Sequence, residues 1–336
     1  MTKVLISGYY GFENFGDEMI LSILVNHLKS IDADVTVLSY NPKLTAKKNK
    51  IKSVNSFSIN KLLFEIIKTD ILISGGGSLL QDVTSIKSLI YYSIVILLAL
   101  IFGKKVIIFA QGIGPLNSEI SKFIVFNLLR FCTLVTVRDE KSQKLLIGKK
   151  IKATKTVDPA FSIKIDLTIP KRNTVGIQLR EFKGVDENFL INLAKNIANN
   201  FSDKEIELIS LQDSIDLPLL VDLQSKLETL GIKSEISKEL NQENIISKIS
   251  TLDALVAMRF HAIVIALKAG VKTLAINYDE KVEKLAKEFS LPIISLDNYN
   301  DYNFMFEKLK NEEKTDFSSF ETFDWNEFDK IIKQKY

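Results

Sequence analysis

The chain is poor in the residues that form disulfides and metal sites. Its 336 residues include one cysteine, Cys132, and two histidines, His27 and His261. A single cysteine excludes a disulfide within the chain, which fits a reducing compartment. Cys132 lies in an apolar stretch and is expected to be a small buried hydrophobe. Because zinc sites need clusters of Cys and His, we expect no metal site.

The sequence also lacks a charge excess. Lys and Arg number 44 against 41 Asp and Glu, for a net charge of +3. This balance gives no reason to expect a nucleic-acid partner. The short basic run at residues 43–50 is expected to be a solvated loop, with weak attraction to anionic lipid as the alternative.

No apolar run has the length of a membrane-spanning helix. The most apolar segment, residues 89–103, falls short of the roughly 20 residues that a spanning helix needs. We expect it to form a buried helix between two strands, with a membrane-touching helix as the alternative. No signal peptide precedes the first apolar run, which predicts a cytoplasmic protein, with contact to the inner leaflet of the membrane left open.

Short, continuously apolar runs alternate with segments of helical period along the chain, which is typical of parallel sheets covered on both faces. We therefore predict an α/β fold of two Rossmann-like, doubly wound domains that face a cleft. The predicted domains are residues 1–166 and 173–336, joined by a linker at 162–173. From residue 313, an acidic loop and an amphipathic helix are expected to complete the second domain. The predicted strands are 3–7, 34–40, 71–74, 105–110, 134–139, 153–157, 174–180, 205–212, 254–259, 272–278 and 292–296.

A glycine-containing loop, GYYGFENFGDE at residues 8–18, follows the first predicted strand. Its glycines do not have the spacing of a dinucleotide-binding motif, which argues against a nicotinamide-dependent enzyme. Asn14 and Asp17 either contact a sugar hydroxyl or cap the following helix.

Two further glycine-rich loops follow predicted strands. In ISGGGSLLQD, Gly75, Gly76 and Gly77 allow the backbone to approach a ligand, and the next helix N-terminus suits phosphate or carboxylate. A tight turn alone would need only one glycine. The loop lacks the lysine of a P-loop, and its Gln81 is a further candidate for substrate binding. In FAQGIGPL, Gln111 is a candidate hydrogen-bond donor to the substrate.

Arginines end two of the predicted strands. Arg138 follows LVTV, and Arg180 ends TVGIQLR. The guanidinium group suits a carboxylate or phosphate because it binds both oxygens at once. For Arg138, a surface salt bridge to Asp139 or Glu140 is the alternative.

The stretch LVAMRFHAIVIALKAG places Arg259 and His261 where a strand gives way to a helix. If a histidine acts as an acid or base, His261 is the candidate, since His27 lies within the first amphipathic helix and is expected to be structural or exposed. Lys281 opens a later helix and either contacts a phosphate or is an ordinary exposed lysine. These residues predict a small anionic ligand that carries phosphate, carboxylate or both.

Seven motifs occur in an order that resembles the polysaccharide pyruvyl transferase family, in particular its CsaB-type members. The resemblance covers about residue 4 to about residue 290. Two residues of the first loop depart from it, because Glu13 stands where a small residue is expected and Phe15 is bulky. The motifs are GYYGFENFGDEMIL, SGGGSLLQDVTS, AQGIGPL, VRDEKS, DPAF, RFHAIVIAL and YDEKV.

The resemblance implies a GT-B-like fold and a defined reaction. Pyruvate moves from phosphoenolpyruvate to two hydroxyls of a sugar as a cyclic ketal, with release of phosphate and without a cofactor. The implied acceptor is an N-acetylmannosamine unit of a lipid-linked cell-wall precursor, bound by the first domain, while the second binds phosphoenolpyruvate.

The same resemblance suggests roles for individual residues. His261 would be the general acid and Asp17 a candidate base. Arg259, Arg138 and Lys281 would hold the carboxylate and phosphate of the donor.

Two other functions fit the same residues. A nucleotide-sugar glycosyltransferase could use the cations of the second domain to hold a diphosphate, and UDP or GDP would then stabilise the protein. A non-catalytic anion-binding module would bind its ligand without turnover. Fold alone does not separate these functions.

Overall fold

The computed structural model describes residues 1–83, 85–311 and 321–334. The chain divides into two compact units, a first made of Met1–Ser162 with Glu321–Tyr336 and a second made of Ile163–Phe320. Each contains a wholly parallel sheet whose strand order reverses beside the first strand, so the predicted α/β fold with two doubly wound sheets is confirmed.

The first sheet has seven strands in the order β3-β2-β1-β4-β5-β6-β7. The order reverses between β1 and β4, which are paired in register, with Val4 opposite Ile71. Ligands of doubly wound sheets bind at such a reversal, beside the carboxyl ends of the strands. The strands are β1 Lys3–Ser7, β2 Asp34–Ser39, β3 Lys52–Asn55, β4 Ile71–Ser74, β5 Lys105–Gln111, β6 Leu134–Val137 and β7 Thr154–Lys155.

Both faces of the first sheet are covered, because successive side chains of a strand point to opposite faces. In β1, Val4 and Ile6 pack with α1 on one face, whereas Leu5 packs with α3, α4 and α5 on the other. The helices are α1 Phe15–Ser30, α2 Pro42–Asn49, α3 Ile59–Lys68, α4 Ile86–Ile101, α5 Glu119–Arg130, α6 Glu140–Ile147 and α13 Asn326–Lys333, and a 3-10 turn spans Pro159–Ser162.

The C-terminal helix α13 packs on the first unit, so its assignment to the second domain was wrong. Phe328 and Ile332 are buried in the core cluster of α1, and the ring of Trp325 stacks on His27 at 3.7 Å. His27 Nε2 also lies 2.6 Å from Asp329 Oδ1, which confirms a structural role for this histidine. The part of the predicted tail at residues 313–320 lies outside the described residues.

The second sheet has six strands in the order β10-β9-β8-β11-β12-β13. The order reverses between β8 and β11, where Gln178 lies opposite Ala257. The strands are β8 Thr174–Gln178, β9 Glu205–Ile209, β10 Ser234–Ser237, β11 Ala254–Ala257, β12 Lys272–Asn277 and β13 Ile293–Ser295. The helices are α7 Glu187–Phe201, α8 Asp213–Thr229, α9 Gln242–Ser250, α10 Phe260–Lys268, α11 Glu280–Glu288 and α12 Tyr302–Asn311.

Three elements differ from the predictions. The basic run at 43–50 belongs to helix α2, not to a loop, because Pro42 opens the helix and Asn41 caps it. Strands β3 and β10 were not predicted, since their sequences, KSVN and SEIS, are polar. Both lie at sheet edges, where one side of the strand is solvated.

The apolar segment 89–103 forms most of α4, as predicted, but only one side of this helix is buried. Leu89, Val95 and Ile96 lie in the core, whereas Ile90 and Ile94 are exposed. No helix within the described residues has the length and apolar character to cross a membrane.

Candidate functional site

Tyr10 fills the carboxyl edge of the first sheet between β1 and β4. A Cβ added to Gly75 would lie 1.9 Å from the Tyr10 hydroxyl oxygen, and one added to Gly8 would lie 2.4 Å from the ring. A Cβ at Gly76 would lie 2.8 Å from Cγ2 of Ile20. Packing of buried side chains therefore requires Gly75 and Gly76, and their contact with substrate stays a prediction.

Gln111 holds the glycine-rich loop against the sheet. Its buried Nε2 donates to Ser74 Oγ at 2.8 Å and to the carbonyl oxygen of Gly75 at 2.7 Å. The preceding Ala110 has a φ of 46°, a left-handed conformation that is strained for alanine and lies within a register shift of β5. Gln111 thus fixes the loop, while Gln81 accepts the amide of Val83 at 2.8 Å in a local turn.

Arg138 connects three segments of the first unit. Its Nη1 donates to Asp158 Oδ2 at 2.8 Å, and its Nη2 donates to Ser78 Oγ at 3.2 Å. The carboxylate partner is therefore Asp158 of the DPAF motif, and Asp139 caps helix α6. Both Arg138 and Asp158 are nearly buried, so this pair positions the loop that carries Ser78.

The first loop ends in a helix cap. Asn14 is the N-cap of α1, and its Oδ1 accepts the amide of Gly16 at 3.1 Å. Asp17 lies in the first turn beside the glycine-rich loop, since a Cβ at Gly77 would lie 2.9 Å from Asp17 Oδ1. Glu13 has a φ of 59°, which is the conformation that favours the small residue expected there.

A row of aromatic side chains lies beside this edge. Tyr9 stacks on Phe12 with ring centroids 4.2 Å apart, and Phe12 stacks on Tyr40 at 4.6 Å. Phe57 then meets Tyr40 edge-on at 6.1 Å. Tyr9, Tyr40 and Phe57 are exposed, so the row presents aromatic rings to solvent. We call these four residues the aromatic row. Sequence reasoning missed it, although two of its members lie in the GYYGF motif.

In the second unit, a buried carboxylate orients Arg259. The Nη2 of Arg259 donates to Asp216 Oδ1 at 2.6 Å, while Asp216 Oδ2 accepts the amides of Leu211 and Gln212, both at 3.0 Å. The amide of Arg259 donates to Gln178 Oε1 at 2.8 Å. The backbone and guanidinium of Arg259 are therefore both fixed. Asp216 and Gln178 were missed because neither lies in a recognisable motif.

Arg180 and Arg259 follow the neighbouring strands β8 and β11. The Nε atoms of both are buried and have no hydrogen-bond partner among the described residues. The guanidinium carbon of Arg180 lies 5.5 Å from the centre of the Tyr278 ring. Burial raises the pKa of Tyr278, and the positive charges of both arginines act against that rise. Two guanidinium groups with buried Nε atoms thus belong to residues that follow neighbouring strands at the same edge of the sheet.

His261 is the second residue of α10, and Arg259 is its N-cap. The Arg259 side chain makes no cap hydrogen bond within the described part of the chain. Because α10 begins directly after β11, its first amides lie at the same sheet edge as the arginines. His261 is half-buried against Phe260, with ring centroids 5.2 Å apart. Lys281 is exposed in the first turn of α11, which Asp279 caps.

The predicted site residues thus fall into two groups, each at the carboxyl edge of one sheet. The described residues contain no group of three or more His, Cys, Asp or Glu that could hold a metal ion. The first group is Asn14, Asp17, Gly75, Gly76, Gly77, Gln81, Gln111 and Arg138, and the second is Arg180, Arg259, His261 and Lys281.

Solved structures share the two-unit fold at low sequence identity. The UDP-GlcNAc 2-epimerase of Methanocaldococcus jannaschii aligns with a TM-score of 0.66 and 14% identity over 94% of each chain. S. aureus MnaA, solved with UDP, aligns with a TM-score of 0.63 and 11% identity over 93% of this chain and 88% of the other. Anabaena HepE, solved with UDP-glucose, aligns with a TM-score of 0.60 and 13% identity over 93% of this chain and 90% of the other. These likenesses show the fold alone.

The sequence itself matches a family. Among curated proteins, none matches this chain. The profile of the polysaccharide pyruvyl transferases, however, matches residues 14–280, a range that includes most of the loops of the first group and all of α10. The match covers far more than half of the chain and extends over both units. The chain therefore belongs to the polysaccharide pyruvyl transferase family and is a transferase enzyme that acts on a saccharide.

Proposed function

We propose that the enzyme transfers pyruvate from phosphoenolpyruvate to two hydroxyls of its saccharide, forming a cyclic ketal and releasing phosphate. The observation that carries this proposal is the pair of buried Nε atoms on Arg180 and Arg259, beside the uncapped N-terminus of α10. A buried N–H without a partner is costly, and an anion would satisfy both groups. Phosphoenolpyruvate carries two anionic groups, a carboxylate and a phosphate.

The geometry of Arg259 suits donor binding better than that of Arg138. Asp216 holds one Nη of Arg259, while the buried Nε has no hydrogen-bond partner among the described residues. Arg138 has its guanidinium between Asp158 and Ser78. We therefore assign the donor to Arg180 and Arg259, with Lys281 as a further contact to phosphate.

The proposed reaction begins with a proton. His261 gives a proton to the methylene carbon of phosphoenolpyruvate, and positive charge develops at C2. A sugar hydroxyl forms a bond to C2 and loses its proton, and the bond from C2 to the phosphate oxygen then breaks. The second hydroxyl then forms the other bond to C2 and closes the ketal, and its proton goes to the released phosphate. Arg180, Arg259 and the amides of α10 offset the charge of the departing phosphate.

The first unit is the proposed acceptor side. The aromatic row offers flat apolar faces, and sugar rings pack their C–H faces on such surfaces. Asp17 is the proposed base for the acceptor hydroxyl. We propose as acceptor an N-acetylmannosamine unit of a lipid-linked cell-wall precursor, in the cytoplasm, where the single thiol of Cys132 would stay reduced.

Thermal unfolding with phosphoenolpyruvate, UDP, GDP and phosphate in parallel tests this function. A ligand at 100 times its Kd adds about 2.7 kcal/mol to the stability of the folded protein. We expect phosphoenolpyruvate to raise the Tm of the wild type and to lose this effect in R259A. Stabilisation by UDP or GDP alone would instead indicate a nucleotide-sugar glycosyltransferase activity and overturn the donor assignment.

A further inference from the structure

Helix α4 exposes an apolar stripe along its whole length. Ile86, Ile90, Ile94, Leu97 and Ile101 recur at helical spacing and are 43–67% exposed. Lys87 is the one charged residue in the sequence of this helix. The solvent side of a surface helix is ordinarily polar, so this apolar stripe indicates an interaction surface.

The neighbouring helices extend the stripe into a face. On α3, Ile59, Phe64 and Ile67 are 52–70% exposed, and on α5 Ile120 and Phe123 are 70% and 71% exposed. Both helices pack beside α4. We call the exposed residues of these three helices the α3–α4–α5 face. In the second unit, the large exposed apolar residues of the helices, such as Val221 and Phe304, lie on separate helices.

The charges of this face are mostly positive. Lys61, Lys68 and Lys87 are exposed on it. The acidic residues of the same helices already have partners. Glu65 is buried against Lys52, and Glu119 pairs with Lys122. The face therefore combines apolar side chains with lysines that fit an anionic surface.

We propose that the α3–α4–α5 face docks the enzyme on a membrane that contains anionic lipids. The apolar stripe would enter the boundary between headgroups and acyl chains, and the lysines would contact the headgroups. A second copy of the chain fits this face less well, because a twofold interface would bring two faces of the same positive charge together. The inference rests on the surface alone and not on the identity of donor or acceptor.

Vesicle flotation of the full-length protein tests the proposal. We expect the wild type to bind vesicles of equal parts phosphatidylglycerol and phosphatidylcholine more tightly than vesicles of phosphatidylcholine alone. The double variant I94E/L97E should weaken binding by at least about tenfold, since each buried apolar side chain contributes strongly. V221E/F304E, which places the same charges on exposed sites of the second unit, should bind like the wild type.

Two further measurements keep the test decisive. I120E/F123E changes α5 in place of α4 and should also lose binding, and K61Q/K68Q/K87Q should lose most of the preference for phosphatidylglycerol. Wild-type protein that does not float with either vesicle would overturn the proposal, as would I94E/L97E that still binds. Light scattering could instead show that the wild type is a dimer and that I94E/L97E is a monomer. If neither protein binds vesicles, that result would show that a second copy of the chain covers the face.

Discussion

The carboxyl edges of the two sheets are built from the same kind of strand order but present different chemistry. In the first unit, Asp158 pairs with the guanidinium of Arg138, and Tyr9 and Tyr40 lie exposed. Among the described residues, the buried side-chain atoms of this edge without a hydrogen-bond partner are uncharged, and they are Ser7 Oγ, the Tyr10 hydroxyl and Gln111 Oε1. In the second unit, two arginines keep buried Nε atoms without partners among the described residues. An edge with aromatic rings and uncharged polar oxygens suits a neutral sugar, whereas an edge with guanidinium N–H groups that lack partners suits an anion. The difference supports placing acceptor and donor on different units.

The largest expected effect comes from the histidine of the second unit. H261Q should lower kcat by about 10²–10⁴-fold while phosphoenolpyruvate still binds, because the proton donor is lost and the arginines remain. Phosphate release with saturating donor measures this. H27Q is the matched control, and it should keep kcat because His27 contacts α13 in the first unit. Wild-type kcat in H261Q would rule out this residue as the acid.

The two buried ion pairs give a direct comparison between the units. D216N and D158N each remove the carboxylate from a nearly buried arginine, so each should lower the free energy of unfolding by about 3–5 kcal/mol. Only D216N should also weaken phosphoenolpyruvate binding, because it releases Arg259. Calorimetric titration of both variants below their Tm measures the difference, and equal donor affinity in the two would contradict it.

The packing of Tyr10 against Gly75 in the first unit can be tested with variants that leave the second unit unchanged. G75A should lower the free energy of unfolding by about 1–3 kcal/mol, because its methyl group would collide with the Tyr10 hydroxyl. Y10F/G75A should recover part of this loss, since the nearest atom is removed. Chemical denaturation of the four proteins of the cycle measures the coupling. Additive losses would mean that Gly75 serves the backbone or a ligand and not Tyr10.

The aromatic row should affect the acceptor alone. Y40A should raise the KM for the saccharide about 2–10-fold, the range expected for one aromatic contact of about 0.5–1.4 kcal/mol, and leave the donor affinity unchanged. Tyr40 is exposed, so stability should change little. F304A, which truncates an exposed aromatic residue of α12 in the second unit, is the control. A change in the KM for phosphoenolpyruvate in Y40A would contradict the separation of the two substrates.

The smallest expected effect concerns the contact of α13 with the first unit. Burial raises the pKa of Asp329, but the contacts with His27 and Lys333 outweigh burial and leave the pKa below its ordinary value. A lowered folded-state pKa gives stability that is present above the unfolded value of about 3.9 and is lost as the pH falls through the folded value. D329N should therefore cost about 0.5–1 kcal/mol at pH 7 and progressively less below about pH 4. Unfolding followed between pH 3 and 7 measures this, and a cost that stays constant would exclude the ion pair as its source.

Much of the fold could be predicted because its signal is local. Continuous apolar strands such as β4 and β11, separated by helical segments, identify parallel sheets wherever they occur. Short polar edge strands and the packing of α13 on the first unit could not be predicted in this way. They depend on neighbours that are far away in the sequence, as the pair of His27 and Asp329 shows.

The candidate site was predictable in position more than in detail. Strand-end loops identified Arg180, Arg259 and His261, because parallel strands direct their carboxyl ends to one edge. The sequence could not show that Gly75 accommodates Tyr10. It also could not show that Asp158 holds Arg138 or that Asp216 holds Arg259. Those partners lie 20 and 43 residues from Arg138 and Arg259, and only the folded chain brings them together.

The most direct test of the donor assignment is calorimetric titration of phosphoenolpyruvate into the wild type, R180K and R259K. Lysine keeps the positive charge but lacks the Nε–H group that lies buried in both arginines. We expect the wild type to bind and each variant to bind at least about tenfold more weakly, the loss that about 1.4 kcal/mol for one charge-assisted hydrogen bond would give. Unchanged affinity in both variants would contradict the proposal that the second unit holds the donor.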